Sequence, residues 1–156
     1  MSSRKGVAKM VNELSEKDKI EHFKRECLSM RYYRGKLQET NEKLEEISVR
    51  LSGVSSPAFK EVVLENARNS NRETRILQLM MEEDELCHEQ EYWEAQIAYV
   101  EKLLAKIKNQ NDRQLIIDLY VDKKITFRDL ANKYNYSLPS THRRIKAIIK
   151  RAIRER

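Results

Sequence analysis

Two unbroken apolar rows limit this chain more than any other feature. Phe23, Met30, Leu37, Leu44 and Leu51 stand seven residues apart, and so do Leu79, Leu86, Trp93, Val100 and Ile107. An apolar side chain at every seventh position keeps one seam of an α-helix turned toward another helix. Each row therefore predicts a long helix with a helical neighbour. Tyr33 and Ile47 widen the first stripe, and Ile76, Ile97 and Leu104 flank the second. The companion rows are mixed: Ile20 and Cys27 give way to Arg34, Asn41 and Ser48, while Glu83 and Gln90 take the matching places later. Ser15 with Asp18, and Ser70 with Glu73, have the spacing of capping boxes and mark the two starts. The run from Ser52 through Gly53 to Pro57 stops the first helix, and Pro57 can open a short turn carrying Phe59, Val62 and Val63. Gly35 in the helix interior costs about 1 kcal/mol relative to alanine and could mark a bend. Two such helices of about 36 residues would each be ~55 Å long. The connector is long enough to fold them back as an antiparallel hairpin, and each could equally pair with a second chain.

Composition agrees with helices. Of 156 residues 36% are charged, with only 3 Gly and 2 Pro, too few turn formers for a sheet protein. The expected class is all-α, a long antiparallel hairpin followed by a small helix-turn-helix domain. The boundaries drawn from the pattern are a tail over 1–14, the hairpin over 15–108 and the small domain over 109–156. No segment approaches the ~18 apolar residues of a membrane span. The first fourteen residues lack the continuous apolar core of a signal peptide. Cys27 and Cys87 do not make a disulfide framework. A cytoplasmic protein with no membrane partner is expected.

The formal net charge is +6, and its placement is informative. Residues 138–156 hold seven basic groups, Arg143, Arg144, Lys146, Lys150, Arg151, Arg154 and Arg156, against the single acid Glu155, so the rest of the chain sums to zero. A balanced body with one cationic helix is the footprint of a polyanion binder. The preference of cations for a helix C-terminus accounts for one or two in the last turn, not for seven over four turns.

Upstream of that helix the turn chemistry is specific. Asp112 can cap a helix carrying Leu115, Ile116, Leu119 and Tyr120. Thr126 with Asp129 forms a third capping box, followed by Phe127, Leu130, Ala131 and Tyr134 on one face. Asn135 stands where a tight turn needs positive φ. Ser137 can cap the last helix, with Pro139 in its first turn and Leu138, Thr141, Ile145, Ile148, Ile149 and Ala152 on the buried side. In a helix-turn-helix the N-terminal part of the second helix enters the major groove. Base contacts are therefore expected from Ser140, His142, Arg143 and Lys146, with Arg143 able to pair bidentately with guanine. Thr126, Arg128, Ser137, Lys150, Arg151 and Arg154 are expected on the DNA backbone.

Other chemistry finds little footing. His22, Cys27, Cys87 and His88 lack zinc-motif spacing, and a hairpin would hold the two cysteines roughly 15–20 Å apart along its axis. Trp93 sits in the apolar row as a packing residue, and Tyr32, Tyr33, Tyr92 and Tyr99 read as hairpin or dimer contacts. The paired acids Glu45/Glu46 and Glu82/Glu83/Asp84 fall on charged helix faces. There is no Gly-rich phosphate loop and no nucleophile elbow. No enzyme activity, cofactor or metal is expected.

The runs Arg113 to Val121, Lys124 to Ala131 and Tyr134 to Ser137, then Arg143-Arg144-Ile145, resemble the promoter −35 reading domain of bacterial sigma factors. With the hairpin in front, the chain is similar to phage late-gene transcription regulators of the RinA and ArpU type. The resemblance covers about residues 30–156, and its specific part is the last ~45, a length typical of such a helical module. Asn135 stands where that pattern commonly has glycine, and Thr141 where valine or isoleucine is usual. The resemblance implies a sequence-specific regulator, a phage or prophage late-gene activator, with double-stranded DNA and RNA polymerase as partners. The hairpin would then serve homo-oligomerisation or polymerase contact. A DNA-packaging adaptor like a small terminase subunit, and a coiled-coil interaction protein with a basic tail, are the alternatives.

Overall fold

A computed structural model describes residues 14–55 and 70–155. Among them every regular element is helical, and the architecture is all-α: a long helical hairpin followed by a small helical domain. Helix α1 spans Glu16–Ser55 and α2 spans Ser70–Ala105. Then come α3 (Gln110–Ile116), a π-helical turn (Ile117–Val121), α4 (Phe127–Tyr134) and α5 (Leu138–Arg154). Residues 1–13 of the tail expected over 1–14, and the turn expected at Pro57 to Val63, lie outside the described residues.

The helix ends follow local chemistry. The Ser15 hydroxyl accepts from the Asp18 amide at 3.3 Å, but it donates to the Asp18 carboxylate at 2.8 Å rather than leaving that group for the backbone. Helix α1 runs through Gly35 without a break and continues past Ser52 and Gly53 to Ser55. Asn109, not Asp112, caps α3: its side chain accepts from the amides of Asn111 and Asp112 at 2.9 and 3.2 Å. Asp112 lies in the first turn, where a carboxylate favours the helix dipole. The Arg113 guanidinium reaches back to the Ile107 carbonyl through Nε and Nη2, at 3.1 and 2.8 Å, and satisfies an oxygen left over beyond the end of α2.

The chain divides into two compact units, Met1–Tyr32 with Ile97–Arg156, and Tyr33–Gln96. The first has a dense core. From the base of α1 it takes Ile20, Phe23, Cys27 and Met30, from the end of α2 Val100, Leu103 and Leu104, and from the later helices Ile116, Leu119, Tyr120, Val121, Ile145 and Ile149. Burial of this kind contributes roughly 1.5–3 kcal/mol per large apolar side chain. Desolvation pushes the Cys27 thiol up to about 12, with Glu26 adding to the effect, and pushes the Tyr120 hydroxyl up to about 12, with Cys27 and Glu21 adding to it. His22 Nε2 and the Tyr99 hydroxyl meet at 2.7 Å across the paired helices. The π-helical turn places Leu119, Tyr120 and Val121 in this core and closes with the Asp122 amide donating to the Ile117 carbonyl at 2.8 Å.

The second unit is a plain two-helix pair. Ile47 and Leu86 are buried, while Leu37, Leu44, Leu51, Leu79 and Trp93 are only partly covered. Trp93 packs beside Tyr92 and Tyr33, with ring centroids 4.9 and 6.1 Å away. Companion-row positions meet directly here, with Gln90 Nε2 donating to Asn41 Oδ1 at 2.7 Å. These contacts match the two antiparallel helices of one hairpin.

Candidate nucleic-acid interface

The turn between α4 and α5 is built from short-range bonds. Thr126 Oγ1 accepts from the Asp129 amide and the Asp129 carboxylate accepts from the Thr126 amide, both at 3.1 Å, completing a reciprocal cap. Asn135 adopts the left-handed conformation, φ 56° and ψ 36°. The Tyr136 amide then donates to the Ala131 carbonyl at 3.0 Å, the six-to-one bond of a Schellman ending. Asparagine tolerates this conformation better than most other residues bearing a Cβ, which suits it to this position. Ser137 Oγ accepts from the Ser140 amide at 3.3 Å and starts α5, with Pro139 in the first turn.

Helix α5 docks through Thr141, Ile145, Ile148, Ile149 and Ala152, all buried. Thr141 brings a hydroxyl into the core, and that hydroxyl donates to the Ser137 carbonyl at 3.0 Å, so no polar group is stranded. Leu138 departs from expectation and is 42% exposed. It occupies the first helical position, a full turn ahead of the Thr141–Ile145 contact, and projects past the end of the packed interface.

The outward side of α5 carries the charge. Arg143 and Lys146 are exposed at its centre. Arg143 Nη2 donates to Ser140 Oγ at 3.1 Å, and that oxygen lies 2.9 Å from Ser137 Oγ, so three of the expected residues form one chain. His142 stands on one flank with its ring stacked on Phe127, centroids 4.0 Å apart and planes inclined by 17°. Phe127 in turn meets Tyr120 edge-on at 6.1 Å.

The residues expected on the DNA backbone are more dispersed. Thr126 and Ser137 serve as caps, and Arg128 is exposed in the first turn of α4. Lys150 is half-buried. Arg151 borders a shallow cleft with Lys106, Lys108, Asp112 and Glu155. Arg154 is engaged by Glu16, Nη2 to carboxylate oxygen at 3.0 Å.

One cluster escaped the sequence reading. Tyr134 and Tyr136 are 38% and 46% exposed, and their rings lie near parallel with centroids 6.2 Å apart. The Arg144 guanidinium carbon lies 5.4 Å from the first centroid and 5.8 Å from the second, and its Nη1 donates to the Tyr136 hydroxyl at 3.4 Å. Lys133 Nζ lies 5.6 Å from the Tyr134 ring. The available signal was a Tyr-x-Tyr pair just before a capped basic helix.

Among the described residues no group of three or more His, Cys, Asp or Glu is placed to hold a metal ion. No described helix is long and apolar enough to cross a membrane. No family model, curated protein or solved structure matches the chain.

Proposed function

We propose that this protein is a sequence-specific double-stranded DNA-binding transcription regulator, a phage or prophage late-gene activator. The observation that carries the reading is α5 itself. A capped helix, fastened at a left-handed turn onto a short preceding helix, presents Ser140, His142, Arg143 and Lys146 outward from its first three turns. That is the placement from which a helix reads base edges in the major groove. The basic residues further along α5 add the sequence-independent attraction that duplex binding needs. The half-covered hairpin is assigned to self-association or to RNA polymerase, since an apolar stripe with one face open accommodates another helix. The protein would act in the cytoplasm, without a cofactor or a catalytic residue.

Selection of duplexes from a random pool by the full chain tests this reading. An enriched site is expected, with Arg143→Ala binding that site about 10–100-fold more weakly and tolerating changes at one base pair. With four to six phosphates neutralised, log K should fall with a slope of roughly −4 to −5 against log salt. Recovery of no preferred duplex, or an Arg143→Ala protein that binds like wild type, would overturn the assignment.

A further inference from the structure

We infer that Arg144 and Lys133, seated on the tyrosine pair at the turn, form a clamp for a backbone phosphate of duplex DNA, a role that rests on the DNA-binding reading. The position follows from helical geometry. At about 100° per residue, Arg144 lies roughly 200° around α5 from His142, so the two mark opposite edges of the face centred on Arg143. A helix lying in the major groove turns its centre to the bases and its edges to the phosphate chains on either side. On one edge His142 is stacked against Phe127. On the other edge stand two permanent cations.

Their surroundings suit an anion. Lys133, Tyr134, Tyr136 and Arg144 are all exposed. Among the described ion pairs and hydrogen bonds, neither Lys133 nor Arg144 is matched with a carboxylate, whereas Lys36, Lys43, Arg50, Lys108 and Arg154 all are. A guanidinium resting on aromatic rings keeps its N–H edges open for oxygen ligands. The ring contacts and the Tyr136 hydroxyl also narrow the rotamers of a long side chain, so less conformational entropy remains to be lost on binding. The Tyr136 hydroxyl itself can donate to a phosphate oxygen. Arginine on a paired ring platform, with a lysine beside it, is thus organised before any ligand arrives.

The test uses the full chain, a selected duplex and an unrelated duplex, each titrated at several salt concentrations. Arg144→Gln should weaken both about tenfold and reduce the salt slope by about one, leaving the ratio between the two duplexes intact. Lys133→Ala should act in the same direction by about threefold. Arg144→Lys should keep the slope while losing affinity, because the charge stays and the ring-held fork does not. Thermal melts report folding, and if Arg144→Gln melts early then Lys133→Ala decides, since it alters only an exposed position. Unchanged affinity in folded variants of a DNA-binding wild type overturns the clamp and leaves the broader reading standing. Loss confined to the selected duplex also overturns it, because that outcome describes base reading. A wild-type chain that binds neither duplex removes the reading on which the clamp depends.

Discussion

The same seven-residue pattern runs the length of the hairpin, yet its two ends are packed differently. In the unit at the base, Phe23, Met30 and Val100 are 2%, 0% and 0% exposed. In the Tyr33–Gln96 unit, Leu37, Leu44, Leu51, Leu79 and Trp93, from the same two rows, are only half-covered. The pattern specifies that a helix partner exists, but the degree of burial depends on how many neighbours close around it. Two helices alone cover one side of each stripe. The base is better sealed because the α3–α5 segment supplies further apolar side chains to the same core.

Truncations should expose this difference most strongly. Phe23→Ala is expected to cost about 3–5 kcal/mol in chemical denaturation, the range for an aromatic removed from a close-packed core. Leu44→Ala, on the half-covered stretch, should cost clearly less than the ~2–5 kcal/mol of a buried leucine. Equal losses at the two sites would break the comparison.

Alkali should act on the base first. Both the Cys27 thiol and the Tyr120 hydroxyl have folded-state values of about 12, above their ordinary 9.0 and 10.0, so the folded protein holds these protons more tightly than the unfolded chain. Their contribution is fully present below pH 9 and is lost progressively as pH rises toward 12. Melting temperature should therefore fall across that window, and a Cys27→Ser, Tyr120→Phe protein should fall less steeply. At pH 8 a thiol reagent should label the partly exposed Cys87 well before the buried Cys27.

Smaller effects sharpen the comparison further. Thr126→Ala removes half of a reciprocal cap and should cost about 1 kcal/mol. Gln90→Ala should cost about 0.5–1.5 kcal/mol by deleting the bond to Asn41, with little further loss when Asn41→Ala is added. Lys36 and Lys43 together hold the exposed Glu39 carboxyl below its usual range, but solvent screening leaves such a surface pair with little effect on stability, so Lys43→Ala should hardly change the melting temperature.

What could be read in advance was chiefly what is decided within a few residues. Thr126 with Asp129, the left-handed Asn135 and the Ser137 cap all depend on bonds between near neighbours, and the sequence displays both partners together. The heptad rows are legible for the same reason. Asp112 was a reasonable cap, but Asn109 reaches the free amides from the preceding position, and the Asn109-Gln110-Asn111 run hides which polar residue will do so. Leu138 looked internal by spacing because periodicity takes no account of where the neighbouring helix ends. The closeness of Cys27 to Tyr120 joins segments far apart in the chain, and neither segment carries a local mark of the other. Arg144 was counted as one more cation because its distinction comes from two rings brought beside it by the turn.

The core at the base also has a bearing on how the chain reaches its native state. Its contributors come from two stretches, residues 14–32 and 97–155, with the whole Tyr33–Gln96 unit interposed. During synthesis the first stretch leaves the ribosome before the second, carrying Phe23, Cys27 and Met30 without their partners until the second follows. Closing so long a loop adds to the entropic barrier of completing that core, and prior pairing of the hairpin shortens the effective loop. A fragment starting at residue 109 would lack Ile20, Phe23 and Met30 altogether. The core beneath α4 and α5 is therefore completed by a stretch of chain made well before those two helices.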